Sequence, residues 1–253
     1  MIENYIKEKL KNKDILLMTH IVMGYPNFDD SLKIIESMVN AGVDLMELQI
    51  PFSEPIADGP VILNANQVAL QNGSTVEKCF ELAKTVSARF DIPFLFMTYY
   101  NIVYKYGVEK FIKKSAEYGL KGLITPDLPH EEAGEYLSTM KDASLAPIFL
   151  FSPTTPQERM NEIAKYGNGF IYCIARKGVT GLDTAFSKNL EKYLSNCRKA
   201  TSLPLALGFG VKEKKDVDYL KGKVEIAIVG TQSIRVIDNE GISGIAGFIK
   251  ELR

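Results

Sequence analysis

Glu47 lies near the end of an otherwise mostly apolar run, Val43-Asp44-Leu45-Met46-Glu47-Leu48-Gln49-Ile50. In an extended strand, Val43, Leu45, Glu47 and Gln49 share one face. An ionised carboxylate on such a face is costly unless it is paired or protonated. Glu47 is therefore either a structural acid bonded to a neighbouring strand or a general acid–base group, and the strand alone leaves both readings open. Asp58 follows in a loop shaped by three prolines, Pro51-Phe52-Ser53-Glu54-Pro55-Ile56-Ala57-Asp58-Gly59-Pro60. Taken alone, an aspartate before glycine reads as a turn organiser. Beside Glu47 it offers more, because two carboxylates from one strand–loop unit can divide proton transfer from stabilisation of a cation.

Two glycine turns could hold an anion. Gly208-Phe209-Gly210 and Gly230-Thr231 each follow a short apolar run, and glycine lets backbone N–H groups approach a phosphate closely. Ordinary strand-to-helix turns also favour glycine. Lys177-Gly178-Val179-Thr180-Gly181 has the composition of a mobile lid or of a plain surface loop. Tyr99 ends a strand-like run and suits an aromatic pocket or the core. His20 reads as a hydrogen-bonded strand residue, and Cys173 and Met97 read as core.

The elements that would position these groups are legible as alternation. Strand-like runs occupy Ile15–Val22, Val43–Ile50, Pro93–Thr98, Leu120–Thr125, Ala146–Phe151, Gly169–Ile174, Leu203–Leu207 and Val224–Val229. They are rich in Ile, Leu, Val and Phe with little alternation, as in strands buried on both faces of a parallel sheet. Amphipathic helical patterns lie between most of them: Asp29–Asn40, a segment opened by Ser74-Thr75, Val108–Tyr118, His130–Ala143, Pro156–Tyr166, Ser187–Ala200, Glu213–Leu220 and Gly241–Leu252. Met1–Leu10 adds a helix suited to plugging one barrel end. Eight βα units in 253 residues predict a single (β/α)₈ TIM barrel over residues 1–253, with a doubly wound open sheet as the alternative. In a barrel the chemistry belongs at the C-terminal ends of the strands.

Composition narrows the classes. Apolar residues are 46% and charged residues 24%, so the chain has material for a large core. Thirty basic and 31 acidic residues give a net charge of −1, without the basic excess of a nucleic-acid binder. No stretch approaches the ~20 apolar residues of a membrane span. The start lacks the pattern of a signal peptide. Three cysteines without a CxxC pair fit reduced thiols and a cytoplasmic location, and two histidines argue against a His-rich metal site.

The loop from Glu47 to Pro60 resembles the signature of the tryptophan synthase alpha subunit family, E-L-G-V/I-P-F-S-D-P-x-A-D-G-P. Further stretches occur in the family's order: Tyr99-Tyr100-Asn101, Asp127-Leu128-Pro129-His130-Glu131-Glu132, Ser152-Pro153-Thr154-Thr155, Gly178-Val179-Thr180-Gly181 and Gly208-Phe209-Gly210. The resemblance implies a (β/α)₈ barrel that cleaves indole-3-glycerol phosphate to indole and glyceraldehyde 3-phosphate by a retro-aldol step. It implies no cofactor in this chain, and a partner beta subunit, in an alpha2beta2 heterotetramer, whose pyridoxal phosphate couples indole to serine. By this resemblance Glu47 and Asp58 are catalytic. Ile62, Tyr99 and Tyr172 line the substrate site, and Thr180 is the lid threonine that meets the aspartate on closure. Gly181, Gly208, Phe209, Gly210, Gly230 and Thr231 complete the substrate and phosphate site.

Four departures stand out. Gln49 replaces a usual glycine, on the Glu47 face. Val22-Met23-Gly24-Tyr25-Pro26 replaces the usual T-A-G-D-P, Glu54 replaces an aspartate, and Ile102 stands where proline is frequent. They leave two alternatives beside the main reading: a stand-alone indole-releasing lyase, or a subunit that mainly activates a beta-type partner, with Gln49 and Met23 marking a damaged lyase site.

Overall fold

The computed structural model describes residues 2–175, 184–208 and 210–253. Nine parallel strand segments build one sheet: β1 Leu16–Val22, β2 Leu45–Gln49, β3 Phe94–Met97, β4 Gly122–Ile124, β5 Ala146–Ile148, β6 Leu150–Phe151, β7 Ile171–Ile174, β8 Leu205–Gly208 and β9 Ile226–Val229. Their order is β5-β4-β3-β2-β1-β9-β8-β7-β6. The expected strand over Ala146–Phe151 is divided at Phe149, so β5 and β6 are two parts of one stave. The same stretch bonds outward on both sides. Ala146 N–H donates to Lys121 O at 3.1 Å, and Pro147 O and Phe149 O accept from Asn168 and Tyr172 N–H at 3.1 and 2.9 Å. Eight staves thus close into a ring, which decides for the (β/α)₈ barrel over the open sheet.

Helices alternate with the staves: α1 Ile2–Lys9, α2 Phe28–Asn40, α3 Pro60–Gln71, α4 Val76–Arg89, α5 Tyr100–Tyr106, α6 Val108–Glu117, α7 Gly134–Asp142, α8 Gln157–Ala164, α9 Thr184–Ala200, α10 Lys214–Leu220, α11 Thr231–Glu240 and α12 Ile242–Glu251. Local chemistry fixes several starts. Asn27 accepts the N–H of Asp30 ahead of α2, Thr75 accepts that of Lys78 ahead of α4, and Glu213 with Asp216 forms a capping box on α10. The expected helix over His130–Ala143 is instead a 3₁₀ turn, His130–Glu132, followed by α7, with Ala133 between them at φ −94°, ψ 15°. Helices α3, α5 and α11 were not expected from periodicity. Each starts immediately at a strand-end loop that reads locally as a turn.

Two apolar layers follow from the strand period. Leu17, Ile21, Met46, Leu48, Phe96 and Leu207 point outward and pack under the helices. Leu16, Met18, Leu45, Leu95, Ala206, Ile226 and Ile228 point inward. Helix α1 closes the N-terminal end as expected: Ile2 and Ile6 join the inward layer at 4% and 0% exposure, and full burial of such a side chain stabilises by about 1.5–3 kcal/mol. Gly169 permits this contact, since a Cβ there would stand 2.5 Å from Ile2 Cγ2. Ascending the strands, the inward positions change from apolar to polar. Met18 gives way to His20, and Leu45 to Glu47 and Gln49. The site lies in that upper layer.

Candidate active site

Parallel pairing of β1 with β2 sets His20 opposite Glu47 and Val22 opposite Gln49. His20 Nδ1 lies 2.9 Å from Glu47 Oε1, with both residues buried. Tyr172 on β7 donates its hydroxyl to the same oxygen at 3.4 Å. The other oxygen, Glu47 Oε2, has no hydrogen-bond partner among the described residues. The first reading of Glu47, a carboxylate merely tied to the next strand, therefore accounts for one oxygen only.

The loop after β2 returns Asp58 to the barrel mouth. Gln49 Nε2 donates to Asp58 Oδ2 at 2.7 Å, and Tyr99 O–H donates to the same oxygen at 3.1 Å. Tyr99 Oη also accepts the Ala57 N–H at 3.0 Å, and its ring stacks on Phe52 with centroids 5.2 Å apart. Asn66 on α3 fixes the loop's other side by accepting the Phe52 N–H at 2.9 Å. The aspartate is thus held in a built frame and is more than a turn residue.

Burial raises the Asp58 pKa above the ordinary carboxylate range, although His20, Gln49 and Tyr99 all favour its charged form. Burial alone would lower the His20 pKa. The adjacent Glu47 carboxylate, joined by Asp58 and Gln49, outweighs it, and the imidazole titrates above its usual value. Burial and the nearby carboxylates push the hydroxyls of Tyr172 and Tyr99 well up, so both remain donors.

Glu47 and Asp58 meet one cavity of about 190 Å³. Its wall also includes Ile62, Tyr172, Gly208, Gly210, Gly230 and Thr231. Tyr99, at 1% exposure, stands behind Asp58 as its hydrogen-bond donor. Met97, expected as core, reaches the cavity as well. Thr180, Gly181 and Phe209 lie outside the described residues. His20 was expected to be a hydrogen-bonded barrel residue, and it is one, but its place on the cavity wall was not anticipated. A polar residue on the inward face beside an acid-bearing strand was the available signal.

The glycine turns form the far side of the cavity. Gly210 adopts φ +74° with open space where a Cβ would stand. Gly230 precedes the first residue of α11, Thr231, so the unpaired N–H groups of a ten-residue helix open at the cavity rim. Gln49 bonds Asp58, so this departure from the family pattern touches the acid pair directly. Met23 is fully buried in the outward layer, among the residues that pack under the helices. Among the described residues no group of three His, Cys, Asp or Glu could hold a metal ion, and no helix is long and apolar enough to cross a membrane.

Comparison with known proteins agrees with this arrangement. The family model described as tryptophan synthase alpha chain matches residues 6–249. A tryptophan synthase alpha chain from Syntrophotalea carbinolica is 60% identical over 253 residues, and one from Desulforapulum autotrophicum is 59% identical over 252, each covering 100% of both chains. Among solved structures, the tryptophan synthase alpha subunit of Campylobacter jejuni superposes with a TM-score of 0.86 at 32% identity, covering 95% of this chain and 96% of its own. A chain of Mycobacterium tuberculosis tryptophan synthase does so at 0.92 and 27% identity, covering 99% and 96%. With full-length relatives at this identity and a matching barrel, the chain belongs to the tryptophan synthase alpha chain family.

Proposed function

We propose that Glu47 and Asp58 carry the lyase reaction of this family, cleavage of indole-3-glycerol phosphate to indole and glyceraldehyde 3-phosphate. The observation that supports this assignment is the contrast between the two carboxylates on one cavity. Glu47 keeps Oε2 open, whereas Asp58 is held by two donors on a single oxygen. An open oxygen suits proton transfer, and a fixed carboxylate suits a developing positive charge.

The steps follow from the substrate. Glu47 gives a proton to indole C3 and creates an indoleninium cation. Asp58, facing the ring N–H, stabilises that charge. The bond from C3 to the side-chain carbon then breaks, its electron pair returns to the ring, and the side-chain hydroxyl loses a proton to become the aldehyde. Glu47 can accept that proton in turn. Gly208, Gly210, Gly230 and Thr231 at the N-terminus of α11 bind the phosphate, remote from the reacting bond, and Ile62 and Tyr172 border the substrate. Thr180 and Gly181 would act as lid residues and Phe209 as part of the phosphate turn.

The reaction needs only a proton carrier and a charge stabiliser, so this chain works without a cofactor of its own. We place the 253 residues in one cytoplasmic barrel domain, paired with a beta subunit as alpha2beta2. That partner's pyridoxal phosphate would couple indole to serine. Ile56, 78% exposed in the Asp58 loop, and Tyr104, 69% exposed on α5, are exposed apolar side chains suited to contact with such a partner.

The test is indole release from indole-3-glycerol phosphate by the purified chain, alone and with a beta subunit. Weak release that rises strongly with the partner supports the coupled subunit. Strong release alone indicates a stand-alone lyase. No release from folded protein in either case rejects the proposal.

A further inference from the structure

The reaction moves two protons, one onto C3 and one off the side-chain hydroxyl, while Glu47 has one oxygen without a partner for both. His20 presents a second such atom. Its ring is 3% exposed, lies on the cavity wall, and is tied to Glu47 through Nδ1. Among the described residues Nε2 has no hydrogen-bond partner, although the Gln49 side chain also bears on the ring and favours its protonated form. An orphaned buried ring nitrogen costs free energy unless something in the working state uses it. Its position also suits the second proton. A Cβ on Gly230 would stand 3.5 Å from His20 Cβ, so the imidazole neighbours the turn into α11, the phosphate end of the site. Asp58 marks the indole end. The side-chain hydroxyl belongs between them.

We propose that His20 is a catalytic residue of this site: its Nε2 takes the proton of the substrate's side-chain hydroxyl, while Glu47 delivers a proton to C3. This rests on the lyase reading above. The protons balance. Glu47 Oε2 loses one to C3, the broken carbon–carbon pair neutralises the indoleninium, and the hydroxyl proton arrives at Nε2. As the products leave, the imidazolium gives its Nε2 proton by way of entering water to Glu47 Oε2, while Nδ1 keeps its proton toward Oε1 across the 2.9 Å contact, which restores the starting neutral histidine and protonated glutamic acid. The order of events is favourable. The Glu47 carboxylate is the first of the groups that raise the basicity of His20 against the effect of burial, ahead of Asp58 and Gln49, and that anion appears once Glu47 has given up its proton. The first transfer prepares the second.

A purely positional role would use Nδ1 alone, to orient Glu47. Substitutions separate the two, with indole release by the full wild-type chain measured in the same assay. His20→Asn keeps a donor near Nδ1 but carries no proton at Nε2, and His20→Gln offers an amide near Nε2 that cannot relay one. In each, kcat is expected to fall by about 10²-fold or more with KM within about threefold. In His20→Gly, added imidazoles should restore rate in proportion to their basicity. A kcat within about threefold of wild type in either folded variant, or rescue that ignores basicity, shows that His20 only positions Glu47. A wild-type chain that releases no indole removes the lyase reading and this inference with it. An active wild type with unaffected variants removes this inference alone.

Discussion

Asp44, just before β2, and Glu47, in its middle, are two buried acids three residues apart, and their surroundings differ in kind. Asp44, at the end closed by α1, has both oxygens engaged: it accepts the Leu17 N–H at 3.0 Å, pairs with Arg253 at 2.8 Å and also with Lys13. Glu47, at the mouth, leaves Oε2 open, and its partner His20 leaves Nε2 open. The apolar inward layer around α1 is closed in the same way, while the upper layer borders a cavity. At the closed end the Asp44 carboxylate is fully engaged and stabilises the fold. The other withholds partners so that a substrate can supply them.

The largest expected effect breaks this comparison at the mouth. Glu47→Gln keeps shape and loses the transferable proton, so kcat should fall by about 10²–10⁴-fold while thermal unfolding stays near that of wild type. Near-normal turnover would reject Glu47 as the proton carrier. Its counterpart, Asp44→Asn, should do the reverse. It leaves Lys13 and Arg253 without their carboxylate and should cost about 1–3 kcal/mol of stability, read as a lower denaturant midpoint, with kcat of the folded enzyme unchanged. Loss of turnover at full stability would mean that the closed end takes part in the chemistry.

Much of this division was legible in the sequence, for physical reasons. Unbroken apolar runs announced doubly buried parallel strands, and their spacing announced the barrel. Glu47 stood out because a charge in such a run demands an explanation. His20 did not, since a neutral imidazole is tolerable in a core, and its importance depends on the pairing register that sets it opposite Glu47. The folded loop presents Asp58 to the Tyr99 hydroxyl, a contact across 41 positions that no local pattern encodes. Helices α3, α5 and α11 were missed because their first residues double as strand-end turns. The break at Phe149 had no local signal.

A smaller effect should appear at the phosphate turn. Gly210 has φ +74° and nothing within 4 Å of the place a Cβ would occupy, so Gly210→Asp adds backbone strain and sets a negative charge beside the proposed phosphate. KM is expected to rise by more than about tenfold, with kcat changing less. An unchanged KM would move the phosphate elsewhere.

The smallest effect is also the sharpest, because it acts on the departure that distinguishes this mouth. Gln49→Gly removes the 2.7 Å donor from Asp58. The aspartate must be ionised to hold the indoleninium, so activity is present above its pKa and is lost as pH falls through it. Burial has already raised that value, and Gln49 is among the groups that bring it back down. Without Gln49 the anion is less favoured, and the acid limb of kcat/KM should move to higher pH, with only a modest loss at the plateau, about tenfold or less. Tyr99→Phe removes the second donor from the same oxygen and should shift the limb in the same direction. If the limb stays in place in both variants, Asp58 is not the group that sets it.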